Sequence, residues 1–156
     1  MLIFLDIDGV MVPAASWKTP EFLEDGFPVF STRATRVLQS LISVNTTVML
    51  TTSHKSKFTI DEWKCIFEKR GLKVAKLKTL ETSHSCLNRK DEVLNWFNLN
   101  NVNEDYVIID DDKSLNALPS YLKNKLILTS SLIGLTDSHL EELKTILERE
   151  SQFSQI

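Results

Sequence analysis

Leu2-Ile3-Phe4-Leu5-Asp6-Ile7-Asp8-Gly9-Val10 holds an apolar run followed by two aspartates and a glycine. Its apolar start predicts a strand over Leu2–Asp6 that is buried on both faces of a parallel sheet. Ligands of open α/β sheets bind at the carboxyl ends of the strands, so Asp6 and Asp8 are expected at a binding crevice. Two neighbouring acids are costly there unless a cation compensates them, and Mg²⁺ prefers such oxygen ligands. The stretch therefore predicts a metal site beside a nucleophilic carboxylate.

Length and composition indicate one globular domain over residues 1–156. The chain has 156 residues, of which 42% are hydrophobic and 25% charged, as is usual for such proteins. No apolar run approaches the roughly 20 residues that cross a bilayer, so we expect no membrane partner. The N-terminus lacks a signal-peptide pattern. Cys65 and Cys86 are too few for a disulfide framework, and a cytoplasmic location is the simplest expectation.

The net charge of -3 is unevenly distributed. Residues 54–90 hold 10 Lys or Arg against 4 Asp or Glu, whereas the remainder holds 8 basic and 17 acidic residues. A locally basic stretch in an acidic protein suits a phosphate-rich partner. Solvated helix faces explain the same counts at least as well.

Strand and helix patterns alternate along the chain. Period-3.6 apolar spacing predicts helices around 34–42, 91–99 and 140–147, and a capping box at Thr59–Glu62 starts another that ends at Gly71. The predicted strands are Leu2–Asp6, Thr47–Leu50, Lys73–Leu77, Tyr106–Ile109 and Leu126–Leu128. Such alternation predicts an α/β fold: a doubly wound, Rossmann-like parallel sheet of about five strands with helices on both faces.

Acidic, hydroxyl and basic side chains follow the first four predicted strands. Strand one delivers Asp6 and Asp8, strand two delivers Thr51, and strand four delivers the pair Asp110 and Asp111. The basic pair Arg89-Lys90 lies between strands three and four. All would open at one edge of a parallel sheet, where acids, a hydroxyl and a cation suit phosphoryl transfer.

The order of these motifs resembles the haloacid dehalogenase-like (HAD) superfamily of phosphohydrolases from Leu2 to about Leu128. Leu5-Asp6-Ile7-Asp8-Gly9-Val10 is similar to its first motif, Val48-Met49-Leu50-Thr51 to its second, and Val107-Ile108-Ile109-Asp110-Asp111 to its fourth. The third motif is a basic residue. Arg89, followed by Glu92 and Val93, resembles the variant of small members, and Lys90 matches the commoner lysine.

The resemblance implies a role for each residue. Asp6 would attack phosphorus and Asp8 would act as general acid and then base. The Asp8 backbone carbonyl, Asp6 and Asp111 would hold Mg²⁺, with Asp110 binding directly or through water; Mn²⁺ accepts similar ligands. The phosphoryl oxygens would be bound by Thr51, with Thr52 as a neighbouring candidate, and by Arg89 or Lys90.

Some of these residues also fit structural or binding roles other than catalysis. An EF-hand loop starting at Asp6 would need glycine and glutamate where Met11 and Trp17 stand, which excludes it. Asp112 is expected to cap a helix, Cys65 to be buried, and His54 to be incidental. A catalytically idle phosphate- or protein-binding module, or a phosphotransferase using the same intermediate, would keep the same fold.

The connections are too short for a cap domain of the kind that many HAD enzymes carry. Residues 11–30, here called the flap, hold three prolines and several aromatic residues, and Trp17 is one candidate for lining the substrate entrance. The resemblance therefore implies a small capless member with an open site. Such sites often take large phosphorylated substrates, such as nucleic-acid ends or phosphoproteins, and the compact form is similar to small HAD domains associated with RNA repair.

Overall fold

A computed structural model describes residues 1–14, 19–81, 86 and 88–153, and side chains only as far as residue 147. Trp17, a candidate for lining the substrate entrance, lies outside the described residues, as does His84, which precedes the basic pair Arg89-Lys90. Five strands form one parallel sheet in the order β3-β2-β1-β4-β5. They are β1 (Leu2–Leu5), β2 (Thr47–Leu50), β3 (Lys76–Thr79), β4 (Tyr106–Asp110) and β5 (Leu126–Leu128).

Helices cover both faces of the sheet, which confirms the predicted fold class. They are α1 (Thr32–Leu41), α2 (Ile60–Lys69), α3 (Arg89–Leu99), α4 (Ser120–Lys123) and α5 (Ser138–Phe153), with 3₁₀ turns at Lys55–Lys57 and Lys113–Ala117. Alternate β1 residues point to opposite sides: Ile3 packs in a core with α1, α2 and α5, whereas Phe4 packs in a second core with α3 and α4. No helix among the described residues is long and apolar enough to span a membrane.

Several local predictions are confirmed. Thr59 and Glu62 form a reciprocal capping box at the start of α2. Phe58 and Trp63, which flank this capping box, pack edge to face with ring centroids 5.0 Å apart and form a hydrophobic staple. The Asp112 side chain accepts from the Ser114 N–H and caps the second 3₁₀ turn. Local hydrogen bonds between a side chain and the backbone can be predicted from the sequence because both partners lie only a few residues apart.

Other local predictions were wrong. The third strand lies at Lys76–Thr79 instead of Lys73–Leu77, because this edge strand buries one face and its lysines point to solvent. Helix α3 begins at Arg89, two residues before the predicted start, since the Asn88 side chain caps it by accepting from the Asp91 N–H. Cys65 is exposed, not buried. It follows the fully buried Trp63 by two residues and so faces away from the core.

The strand order places a crevice above the centre of the sheet. The chain runs outward from β1 to β2 and β3, and then returns to β4 on the other side of β1. The carboxyl ends of β1 and β4 therefore adjoin at the point where the winding direction changes. This is where ligands of doubly wound folds bind.

Candidate active site

Asp6 directly follows β1 and lies almost completely inside the protein, with 5% of its surface exposed. Its Oδ1 accepts a hydrogen bond from the Ile7 N–H at 2.9 Å, and its own N–H donates to the Ile109 carbonyl of β4 at 3.1 Å. The backbone bond keeps Asp6 in register with the end of β4. The Ile7 N–H and the bond to β4 together fix the Asp6 carboxylate at the crevice.

A tight turn at Gly9, shortly after Asp6, brings the backbone close to the Asp111 carboxylate. Gly9 has φ +80°, a conformation that residues with a β-carbon rarely adopt. A β-carbon built on Gly9 would overlap the Asp111 carboxylate. The Gly9 carbonyl accepts a buried hydrogen bond of 2.7 Å from Thr129, which follows β5. Glycine is required here both for the turn and for the close approach of Asp111.

Three carboxylates meet at the crevice. Asp6, Asp110 and Asp111 each offer one oxygen, and these oxygens all lie within 4.8 Å of one another. Burial, and then the neighbouring Asp110, raise the pKa of Asp6 to about 9; burial also raises the pKa of Asp110. Hard divalent cations take such oxygen sets. The acid cluster is therefore chemically suited to a divalent metal ion.

Arg89, at the start of α3, is the cation next to this cluster. Its Nη1 lies 2.7 Å from Asp110 Oδ2 and 3.6 Å from Asp6 Oδ1, and it donates to Thr51 Oγ1 at 3.0 Å. Although burial opposes the charged form, Asp110, Asp6 and Glu92 raise the pKa of Arg89 above its ordinary value. The geometry brings Arg89 and Thr51 together with the acids that the sequence placed at the site.

Lys90, the alternative to Arg89, is placed differently. Its backbone N–H donates to Ser114 Oγ at 3.2 Å. In the described part of the chain, no ion pair joins its side chain to the acid cluster. Of the two basic residues, the structure brings only Arg89 against Asp6 and Asp110.

Asp8 lies outside the carboxylate cluster. Its side chain is 53% exposed, and Oδ2 lies 2.7 Å from His54 Nε2. The cluster that could hold a metal contains Asp6, Asp110 and Asp111 but not the Asp8 carboxylate. The Asp8 carboxylate is therefore accessible to solvent at the mouth of the crevice. His54, which no sequence motif places at the site, contacts the Asp8 carboxylate directly.

Thr52 serves the loop that carries His54. It is fully buried, and its Oγ1 accepts from the His54 N–H at 3.2 Å. The Thr51 hydroxyl, in contrast, donates toward Asp110 Oδ2 at 3.3 Å. Thr51 is therefore the hydroxyl of this pair that lies among the acids.

Sequence reasoning missed a second cation near the crevice. Lys55 Nζ lies 3.7 Å from Glu92 Oε2, and Arg89 Nε lies 3.4 Å from the same oxygen. The Lys55 side chain is only 13% exposed, and burial lowers its pKa. Its position four residues after Thr51 was a weak signal, because a lysine in a polar loop is usually solvated.

Comparison with protein-family models matches residues 2–140 to the family described as "HAD domain in Swiss Army Knife RNA repair proteins". The match covers far more than half of the chain, including every strand and the whole acid cluster. No curated protein and no solved structure matches significantly.

Proposed function

Because the chain belongs to the family of HAD domains in Swiss Army Knife RNA repair proteins, we propose that it is a Mg²⁺-dependent phosphatase acting on a terminal phosphomonoester of a nucleic acid. The observation that carries the proposal is the acid cluster of Asp6, Asp110 and Asp111 beside Arg89. The occurrence of this family in RNA repair proteins supports the nucleic-acid substrate. The half-exposed Asp8 at the mouth of the crevice supports an open site that admits a long chain.

In the proposed reaction, an Asp6 carboxylate oxygen forms a bond to phosphorus as the bond from phosphorus to the ester oxygen breaks. The departing oxygen takes a proton from Asp8. Water then attacks the aspartyl-phosphate, gives a proton to Asp8, and releases inorganic phosphate and free Asp6. Arg89 and Thr51 bind the phosphoryl oxygens, whose charge they stabilise.

The metal would be held by the carboxylates of Asp6 and Asp111 and the Asp8 backbone carbonyl, with Asp110 nearby. A bound Mg²⁺ neutralises charge on the phosphoryl oxygens and on the acids. Asp6 must be ionised to attack phosphorus. Because burial and Asp110 hold its pKa near 9 without a metal, a cation is the natural means of keeping it ionised.

The test is phosphate release in Mg²⁺, in Mn²⁺ and in EDTA. Substrates are oligoribonucleotides with a 3′- or 5′-phosphate, a phosphoserine peptide and p-nitrophenyl phosphate. Wild-type protein should release phosphate only with metal, with an oligonucleotide as the preferred substrate. Asp6→Asn should lose at least roughly 1,000-fold in turnover, since it removes the nucleophile.

Asp112→Asn is the matched control, because it makes the same aspartate-to-asparagine change directly beside Asp110 and Asp111 but outside the cluster. It should retain activity, since asparagine also caps helices. Undiminished turnover by Asp6→Asn would contradict the assigned nucleophile. No turnover of any substrate would favour a phosphate-binding module. Transfer of phosphate to an added alcohol instead of water would favour a phosphotransferase. Preference for the peptide would favour a phosphoprotein substrate.

A further inference from the structure

His54 makes the one hydrogen bond to the Asp8 carboxylate found among the described residues. Its Nε2 lies 2.7 Å from Asp8 Oδ2. With a proton on Nε2, the imidazole donates to this oxygen and leaves Oδ1 for other partners. The two residues reach each other from the loops after β2 and β1. The contact therefore joins the ends of two neighbouring strands at the mouth of the crevice.

The imidazole is itself held in place on both sides. The His54 N–H donates to Thr52 Oγ1 at 3.2 Å. The ring packs edge to face on Phe27 of the flap, with centroids 6.0 Å apart at 88°. The next residue is also fixed, since the Trp63 indole N–H donates to the Lys55 carbonyl at 3.1 Å. These contacts leave the ring little freedom to turn away from Asp8.

Phe27 is in turn anchored to α2 through Arg70. The Arg70 guanidinium is almost fully buried and donates to the carbonyls of Phe27 and Pro28 at 2.7 and 2.9 Å. It also forms a forked pair with Asp25 at 2.7 and 3.0 Å. The described part of the flap is therefore clamped to the folded core and provides a fixed wall behind His54.

We propose that His54 is a positioning residue that fixes the Asp8 carboxyl group for proton transfer to the leaving oxygen. The inference rests on the proposed phosphatase function. An exposed aspartate has free rotation about its side-chain bonds, and misplacing a reacting group by about 1 Å costs on the order of 100-fold in rate. As a contact of stability alone, a part-exposed pair of this kind is worth at most about 1 kcal/mol.

The test is single-turnover release of the leaving group by His54→Ala and His54→Gln. His54→Ala should slow cleavage of a nucleotide phosphate, whose alkoxide leaving group needs a proton, by roughly 10- to 100-fold. Cleavage of p-nitrophenyl phosphate should slow much less, since its leaving group departs without protonation. His54→Gln should recover part of the loss because its amide can donate to Asp8, and KM should stay near the wild-type value in both variants.

Ser56→Ala, an exposed and uncharged change in the same loop, is the matched control and should behave as wild type. A His54→Ala protein with wild-type rates on both substrates would overturn the inference, as would an equal loss on both or a loss confined to KM. His54→Gln keeps the test valid if the alanine variant fails to fold. An inactive wild type would instead contradict the proposed function itself, which separates the two failures.

Discussion

At the scale of single residues, Gly9 shows how the first motif serves the acid cluster. Its φ of +80° turns the chain directly after Asp8, and the absence of a β-carbon lets the Asp111 carboxylate approach. Gly26 has a similar φ of +77° but meets nothing within 4 Å. Substituting each glycine in turn therefore distinguishes the effect of backbone strain, which both positions share, from the effect of steric overlap, which occurs only at Gly9.

Gly9→Ala should be more damaging than Gly26→Ala. Both variants strain the backbone, at a cost of about 1–2 kcal/mol in the free energy of unfolding. Only Gly9→Ala also displaces Asp111, so it alone should weaken Mg²⁺ binding. Urea unfolding and titration calorimetry with Mg²⁺ measure the two effects. Equal losses of stability with unchanged Mg²⁺ affinity would show that the close approach to Asp111 has no importance.

Most residues of the crevice could be identified from the sequence because each directly follows an apolar run. Asp6, Thr51, Asp110 and Asp111 share this signal, and strand order then brings them together. His54 and Lys55 carry no such signal. The positions of His54 and Lys55 are fixed by contacts with Thr52, Phe27 and Trp63. These partners lie in different segments of the chain, and local patterns cannot predict such non-local packing.

At the scale of elements, the Arg70–Asp25 pair joins the flap to the end of α2. Arg70 also lies 5.5 and 5.1 Å from the ring centroids of Phe27 and Phe30. The Arg70 hydrogen bond lowers the pKa of Asp25 from 3.8 to about 2. Such a folded-state pKa, below the unfolded value, means that ionised Asp25 stabilises the folded protein.

Asp25→Asn should therefore destabilise the protein near neutral pH, by about 1–3 kcal/mol for a charge-assisted pair. The deficit should be complete above the unfolded pKa of 3.8 and shrink as the pH falls toward about 2, where wild-type Asp25 also becomes neutral. Urea unfolding at several pH values measures the difference. Glu24→Gln changes an exposed neighbour and should leave stability unchanged. A loss of stability in Asp25→Asn that stays the same between pH 5 and pH 2 would show that ionised Asp25 does not stabilise the fold through Arg70.

Element boundaries were predictable to the extent that neighbouring residues determine them. The capping box of α2 lies within four residues and was legible. Strand β3 was misplaced by a few residues because its pairing with β2, and not its own pattern, decides where it begins. An edge strand with alternating lysines gives only a weak apolar signal.

At the scale of the whole molecule, the acid cluster costs stability when no cation compensates it. The pKa of Asp6 is raised to about 9 from 3.8, so the folded protein binds a proton that the unfolded chain has lost between these values. Stability without metal should therefore fall as the pH rises through this range. The acids of the proposed metal site therefore weaken the metal-free fold.

Asp6→Asn should be more stable than the wild type in EDTA at pH 8, because the amide needs no proton. Adding Mg²⁺ should stabilise the wild type, by about 2.7 kcal/mol at 100 times the dissociation constant, and the variant much less. Denaturant unfolding with EDTA or Mg²⁺ measures both effects, with Asp112→Asn expected to respond as the wild type does. A variant that is less stable in EDTA and equally stabilised by Mg²⁺ would contradict a metal site at Asp6.

A crystal structure with Mg²⁺ and beryllium trifluoride, which mimics a phosphoryl group on a carboxylate, would show whether Asp6 is the nucleophile and lies beside the metal ion. We expect beryllium bonded to an Asp6 oxygen. We also expect Mg²⁺ in contact with Asp6, Asp111 and the Asp8 backbone carbonyl, and fluorides facing Thr51 and Arg89. Beryllium trifluoride bonded elsewhere, or Mg²⁺ bound away from both Asp6 and Asp111, would contradict this assignment.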